Sequence, residues 1–90
     1  MPALAPAEVA RRMPTVPGWQ LDNDTLRRTF AFPDFRAAIA FVNDVAEQAE
    51  AAGHHPDIDI RYDHVTLTLT THDEGGLTDM DFDMARRIGA

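Results

Sequence analysis

Three of the four histidines fall in two short clusters, Glu50-Ala51-Ala52-Gly53-His54-His55-Pro56 and Thr71-His72. Histidine is the side chain whose unperturbed titration lies nearest neutrality, so a group of them can donate and accept protons at cellular pH. The pattern therefore points to acid–base chemistry. The chain has no serine and no cysteine, so the common hydrolase nucleophiles are missing.

Each candidate has a chemical and a structural reading. His54 follows a predicted helix C-terminus, four residues after Glu50. The helix dipole and a nearby carboxylate both favour the imidazolium form, which suits a general acid. The same histidine could simply cap the last helical carbonyls. His55 precedes Pro56 and is pushed toward an extended conformation. It reads either as a ligand contact or as a solvated loop residue. His72 follows Thr66, Thr68 and Thr70 in parity, at a strand end beside Gly75-Gly76. If the strand stays regular it lies on the polar face, either in a cleft or on the open surface. Thr78-Asp79-Met80-Asp81 has the form of a capping box, which alone explains Asp81, although a carboxylate there could also orient a histidine. His64 falls in a predicted hairpin turn and reads as exposed and inert. Adjacent histidines at a helix end do not match the one-face spacing of metal-binding helices, so no metal is expected. Gly75-Gly76 lacks the strand, spacing and lysine of a phosphate loop.

The elements that must hold these residues follow from periodicity. Ala7 to Met13 reads as a short helix stopped by Pro14. Trp19 to Leu21 and Thr25 to Phe32 read as strands around an Asn23-Asp24 turn. From Asp34 to Ala52 a long helix is predicted, with Asp34 as N-cap and Gly53 as a left-handed terminator. Its apolar stripe is Phe35, Ala38, Ile39, Val42, Val45, Ala46 and Ala49. Ile58, Ile60 and Tyr62 alternate with polar residues as a half-buried strand. Val65, Leu67 and Leu69 alternate with threonines as another. A last helix starts at Thr78, with Met80, Met84 and Ile88 as its seam. The order α-β-β-α-β-β-α predicts an α+β fold: an antiparallel sheet with helices on one face.

Ninety residues fit one domain, spanning 1–90, with a modest core. Without disulfides or thiolate metal sites to support that core, association with further subunits is expected. Acidic residues outnumber basic ones by 15 to 8, every basic residue is Arg, and the net charge is −7. That balance disfavours nucleic acid and anionic membranes, and leaves a small neutral or weakly polar molecule as the compatible ligand. No signal peptide and no bilayer-spanning apolar run is found, so a cytoplasmic location is expected.

The chain resembles the pterin-4a-carbinolamine dehydratase family. The resemblance rests on Glu50-x-x-x-His54-His55-Pro56, then Tyr62, then Leu67 to His72, then Gly76-Leu77-Thr78 and Asp81. Gly18-Trp19 and Phe32-Pro33-Asp34-Phe35 also fit, so nearly the whole chain is covered. It implies a four-stranded antiparallel sheet backed by helices, a homodimer or homotetramer, and no cofactor. It also implies loss of water from a 4a-hydroxytetrahydropterin to give quinonoid dihydropterin, within tetrahydrobiopterin recycling. The family's active-site histidines fall on His54, His55 and His72. Its substrate contacts fall on His54 to Pro56 and on Thr71, His72, Asp73 and Glu74, its helix glutamate on Glu50 and its motif aspartate on Asp81. Ile58 stands where members often carry an aromatic residue, a change that bears on stacking against the pterin. On this basis His54 and His72 are expected to exchange protons while His55 holds the substrate. Glu50 is expected to support His54, and Asp81 to brace the cleft. The alternative on the same fold is a non-catalytic dimerisation or assembly cofactor.

Overall fold

Two local signals set the length of the main helix, α2 (Phe35–Ala52). In the computed structural model, which describes residues 2–89, Asp34 is extended and its carboxylate accepts the Ala37 N–H at 2.8 Å. That bond satisfies one of the donors a helix start leaves open. At the other end Gly53 takes φ 66°, a conformation glycine adopts without strain. Between them Ala38, Val45 and Ala49 are buried, and Phe41, Val42 and Ala52 pack beside them. Phe35 and Ala46, expected in the same stripe, are exposed. The buried face is centred on the Phe41 side of the predicted one. Phe41 packs its ring against Phe30 and Phe32, with centroids 4.7 and 5.0 Å away.

Strands β1 (Gln20–Asp22), β2 (Thr25–Ala31), β3 (Asp57–Arg61) and β4 (His64–Leu69) form one antiparallel sheet in the order β1-β2-β4-β3. Each hairpin is local, and α2 connects them so that β2 and β4 pair in the middle. Leu26 lies opposite Leu69 and Phe30 opposite Val65. With Leu67 they build the covered face, and Leu26, Val65, Leu67 and Leu69 are fully buried. The other face carries threonines, where the Thr29 and Thr66 hydroxyls meet at 2.8 Å. Side chains alternate between faces, so this pattern covers one side of the sheet only. Helices α1 (Pro6–Arg12) and α3 (Asp79–Ile88) complete the expected order α-β-β-α-β-β-α. No helix among the described residues is long and apolar enough to cross a membrane.

Three expectations change. Ile58 and Ile60 share a face with Leu67 and Val65, but β3 is an edge strand and leaves them 38% and 39% exposed. Tyr62 belongs to the β3–β4 turn, with φ 53°, and is exposed. β4 ends at Leu69, and His72 opens a 3-10 turn, His72–Glu74, so strand parity does not reach it. In α3 the buried face runs through Asp81, Phe82, Met84 and Ala85, while Met80 and Ile88 are half-buried. Phe82, absent from the predicted seam, is among the largest fully buried side chains.

Arg12 joins α1 to α3 through Glu8 and Asp79. The Arg12 hydrogen bond holds the Glu8 carboxyl below its ordinary value of 4.5. This pair therefore contributes above that pH, and the contribution is lost as pH falls through the lowered value. Truncating Phe82 to Ala should cost about 3–5 kcal/mol in denaturant unfolding. Gly53→Ala, where an added Cβ meets nothing within 4 Å, should cost only about 1–2 kcal/mol, from the left-handed backbone alone.

Candidate active site

The end of α2 decides where the first two histidines go. The Gly53 N–H bonds to the Glu50 carbonyl at 3.4 Å, and the His54 N–H bonds to the Ala49 carbonyl at 3.2 Å. This crossed pair is a Schellman cap, and it folds the chain back across the helix end. His54 is the residue turned inward, and it is buried.

There it meets Asp81, in the first turn of α3. The two side chains lie 2.5 Å apart, Nε2 to Oδ1, and Asp81 is fully buried. The other Asp81 oxygen, Oδ2, accepts the Thr78 N–H at 3.0 Å and the Thr71 hydroxyl at 2.8 Å. A buried carboxylate persists where donors surround it. Since Asp81 acts as acceptor, His54 must carry its proton on Nε2, leaving Nδ1 as the uncommitted nitrogen. The Thr78 and Thr71 hydroxyls are also 2.8 Å apart. Each hydroxyl has one proton, so the chain runs from Thr78 to Thr71 to Asp81. Both readings of Asp81 therefore hold: it closes the capping box of α3 and orients a histidine.

Thr71 also fixes the third histidine. Its backbone pairs with Gly76 at 3.1 and 3.4 Å, closing a loop that carries the His72–Glu74 turn. Gly75 ends that turn with φ 70°. His72 is exposed and makes no side-chain hydrogen bond among the described residues. His55, one residue past the buried His54, points outward and pairs through Nε2 with Glu50. The expected Glu50–His54 pairing is thus replaced by Glu50–His55, because the cap turns His54 under the helix and away from Glu50.

All three histidines line one cleft of about 340 Å3, together with Gly53, Thr70, Thr71, Asp73 and Met80. Pro56 is buried as the chain leaves the cleft for β3. Asp81 sits behind His54, Glu50 reaches the cleft only through His55, and Glu74 lies on the turn outside the lining. His64 is exposed at the start of β4 and bonds to Asp63 at 2.7 Å. From the sequence, Met80 reads only as part of the α3 seam. Its place in the first turn of α3, the helix that starts at the cleft, is the signal that could have found it.

The three imidazoles thus differ in state. His54 is buried and held by a carboxylate, His55 is exposed with a carboxylate partner, and His72 is exposed with no side-chain partner among the described residues. Nitrogen-15 NMR should find His54 as the Nε2–H tautomer; the Nδ1–H form would contradict the assignment. Asp81→Ala orphans three donors and should lower stability by roughly 2–4 kcal/mol.

The family model for "Pterin 4 alpha carbinolamine dehydratase" matches residues 2–90. A protein of Chloroflexus aurantiacus named "Putative pterin-4-alpha-carbinolamine dehydratase" is 58% identical over 88 residues, covering 98% of this chain and 95% of that protein. One of the same name from Acidobacterium capsulatum is 54% identical over 90 residues, covering 100% of this chain and 98% of that protein. The crystal structure of a transcriptional coactivator/pterin dehydratase from Brucella melitensis superposes with a TM-score of 0.90 at 35% identity, covering 96% of this chain and 94% of that one. A pterin dehydratase-like protein described as a RuBisCO assembly factor in the alpha-carboxysome gives 0.63 at 27% identity, over 78% of this chain and 81% of that one. With the family model spanning almost every residue and relatives above half identity end to end, the chain belongs to the pterin-4a-carbinolamine dehydratase family.

Proposed function

We propose that this protein removes water from a 4a-hydroxytetrahydropterin to give the quinonoid dihydropterin, in the recycling of a tetrahydrobiopterin-type cofactor. One observation carries the reading: His54, His55 and His72, drawn from two separate stretches, line a single cleft of about 340 Å3. The relatives' names and the fold neighbour point the same way.

The reaction breaks the bond between carbon 4a and its hydroxyl. The oxygen takes a proton and leaves as water, and the adjacent ring nitrogen gives up a proton as the new double bond forms. Two imidazoles, one giving and one taking a proton, perform both transfers, and such help is typically worth about 10²–10⁴-fold. The geometry favours His72 and His55 for these roles. His72 has no competing side-chain partner among the described residues, and His55 is accessible with Glu50 behind it to support a charged ring. His54, already committed to Asp81, is better suited to hold the substrate than to exchange protons with bulk solvent. This assignment exchanges the roles of His54 and His55 relative to the expectation from sequence. Asp73 lies in the same cleft and offers a carboxylate to the amino-substituted edge of the pterin. The chemistry calls for no metal or organic cofactor, and a cytoplasmic setting suits it.

An assembly of two or four copies fits the surface. Ile58, Ile60 and Tyr62 are exposed along the β3 edge, and Tyr62 stacks with exposed Phe35 at 6.4 Å. The same apolar strip favours a second reading, a scaffold that binds another protein, since one fold neighbour is described as an assembly factor.

Purified protein should accelerate dehydration of a 4a-hydroxypterin with chelator present, and a scaffold would not. His55→Ala and His72→Ala should each lose at least about tenfold in kcat/KM while remaining folded. Full activity in both variants would overturn the proton-transfer roles. Sedimentation equilibrium should give a multiple of the monomer mass, reduced to monomer by Ile58→Lys with Ile60→Lys; a wild-type monomer at micromolar concentration would contradict the assembly.

A further inference from the structure

A second cavity adjoins the histidine cleft. α3 presents Met80, Asp83, Met84 and Arg87 on one stripe, at the spacing that brings residues to a common helix face. Facing them are Ala51 and Ala52 in the last turn of α2. Two alanines leave open what longer side chains would fill, and a space of about 300 Å3 results. His54 and Met80 line both this space and the cleft, so one imidazole and one thioether divide two neighbouring compartments. His54 is pinned by Asp81. Met80 is half-buried, and its flexible unbranched side chain can swing aside.

The charges in this space are not equivalent. Asp83 is engaged by Arg86 at 2.7 Å. Arg87 is exposed and its side chain has no hydrogen bond or ion pair among the described residues. Most other arginines of this acidic chain do have a partner: Arg11 and Arg12 with Glu8, Arg27 with Asp22, Arg61 with Asp59. Arg36, the other unpaired one among the described residues, stands in the first turn of α2, at the helix end away from the histidines. An arginine with no carboxylate partner among the described residues, at the rim of a space adjoining the site, is placed to receive an anion from outside. Its planar fork of donors matches a carboxylate or a phosphate. The methionine and alanine walls suit an aliphatic linker between that anion and a ring.

We propose that this space is a subsite for an anionic group on the substrate's side chain, a carboxylate or a phosphate, bound by Arg87 while the pterin ring occupies the histidine cleft. The inference rests on the dehydratase reading and sharpens it to pterins with an anionic tail.

Calorimetric titration of the full chain with three unreactive oxidised pterins tests it. They are matched in tail length and end in a neutral alkyl group, a carboxylate or a phosphate. Wild type should bind at least one anionic form about tenfold tighter than the neutral one, as a charge-assisted contact provides. The better anion identifies the tail. Arg87→Ala should bring that ratio to about one, Arg87→Lys should keep part of it, and added salt should shrink it. Equal affinity for all three in wild type, or a ratio that survives Arg87→Ala, would overturn the subsite while leaving the dehydratase reading intact. Failure of all three to bind would remove both.

Discussion

The buried carboxylate of Asp81 is the constraint on which the site depends. A charge at zero exposure is tolerated only where donors surround it. Here they come from three places: the Thr78 backbone at the start of α3, the Thr71 hydroxyl before the His72 turn, and the His54 ring after α2. One side chain thus ties the N-terminus of one helix, the C-terminus of another and the loop beyond β4 to a common point. Shifting any of these elements would leave a buried charge or a buried donor without its partner, which is why two histidine stretches far apart in sequence can hold one geometry.

Around that fixed point the imidazoles differ in solvent access: His54 is buried, whereas His55 and His72 are exposed. His54 is inside and committed, His55 is outside with Glu50, and His72 projects from a short turn into the same cleft. The backbone makes these differences before any side chain acts. Gly53 and the crossed hydrogen bonds after it send two consecutive histidines in different directions, and the Thr71–Gly76 pairing lifts His72 off the strand.

Much of this was legible in the sequence, where local rules suffice. Asp34 and Gly53 bound α2 as their types demand, Thr78 and Asp81 form the capping box their spacing suggests, and the alternation in β4 names the covered face. The histidine motif names the three imidazoles that line the cleft, but not Gly53, Thr70 or Met80 beside them. What was not legible depends on tertiary placement. Ile58 and Ile60 alternate like a half-buried strand, but periodicity cannot tell an edge strand from a central one. The pairing of Glu50 with His55 rather than His54 follows from the exact path of the helix cap, and the parity assigned to His72 failed because Leu69 ends the strand early. In α3, periodicity alone does not pick out Phe82, because the buried face of that helix is set by its packing against α2 and the core cluster.

The central claim is that His55 and His72 share one bound pterin while His54 stays locked to Asp81. Nitrogen-15 histidine NMR, recorded while an unreactive oxidised pterin is titrated into the folded protein, measures this directly. The account predicts that the His55 and His72 ring signals move together with one saturation curve, that His54 keeps its Nε2 proton, and that His64 stays still. Movement of only one of the two, or of His64 alongside them, would contradict it.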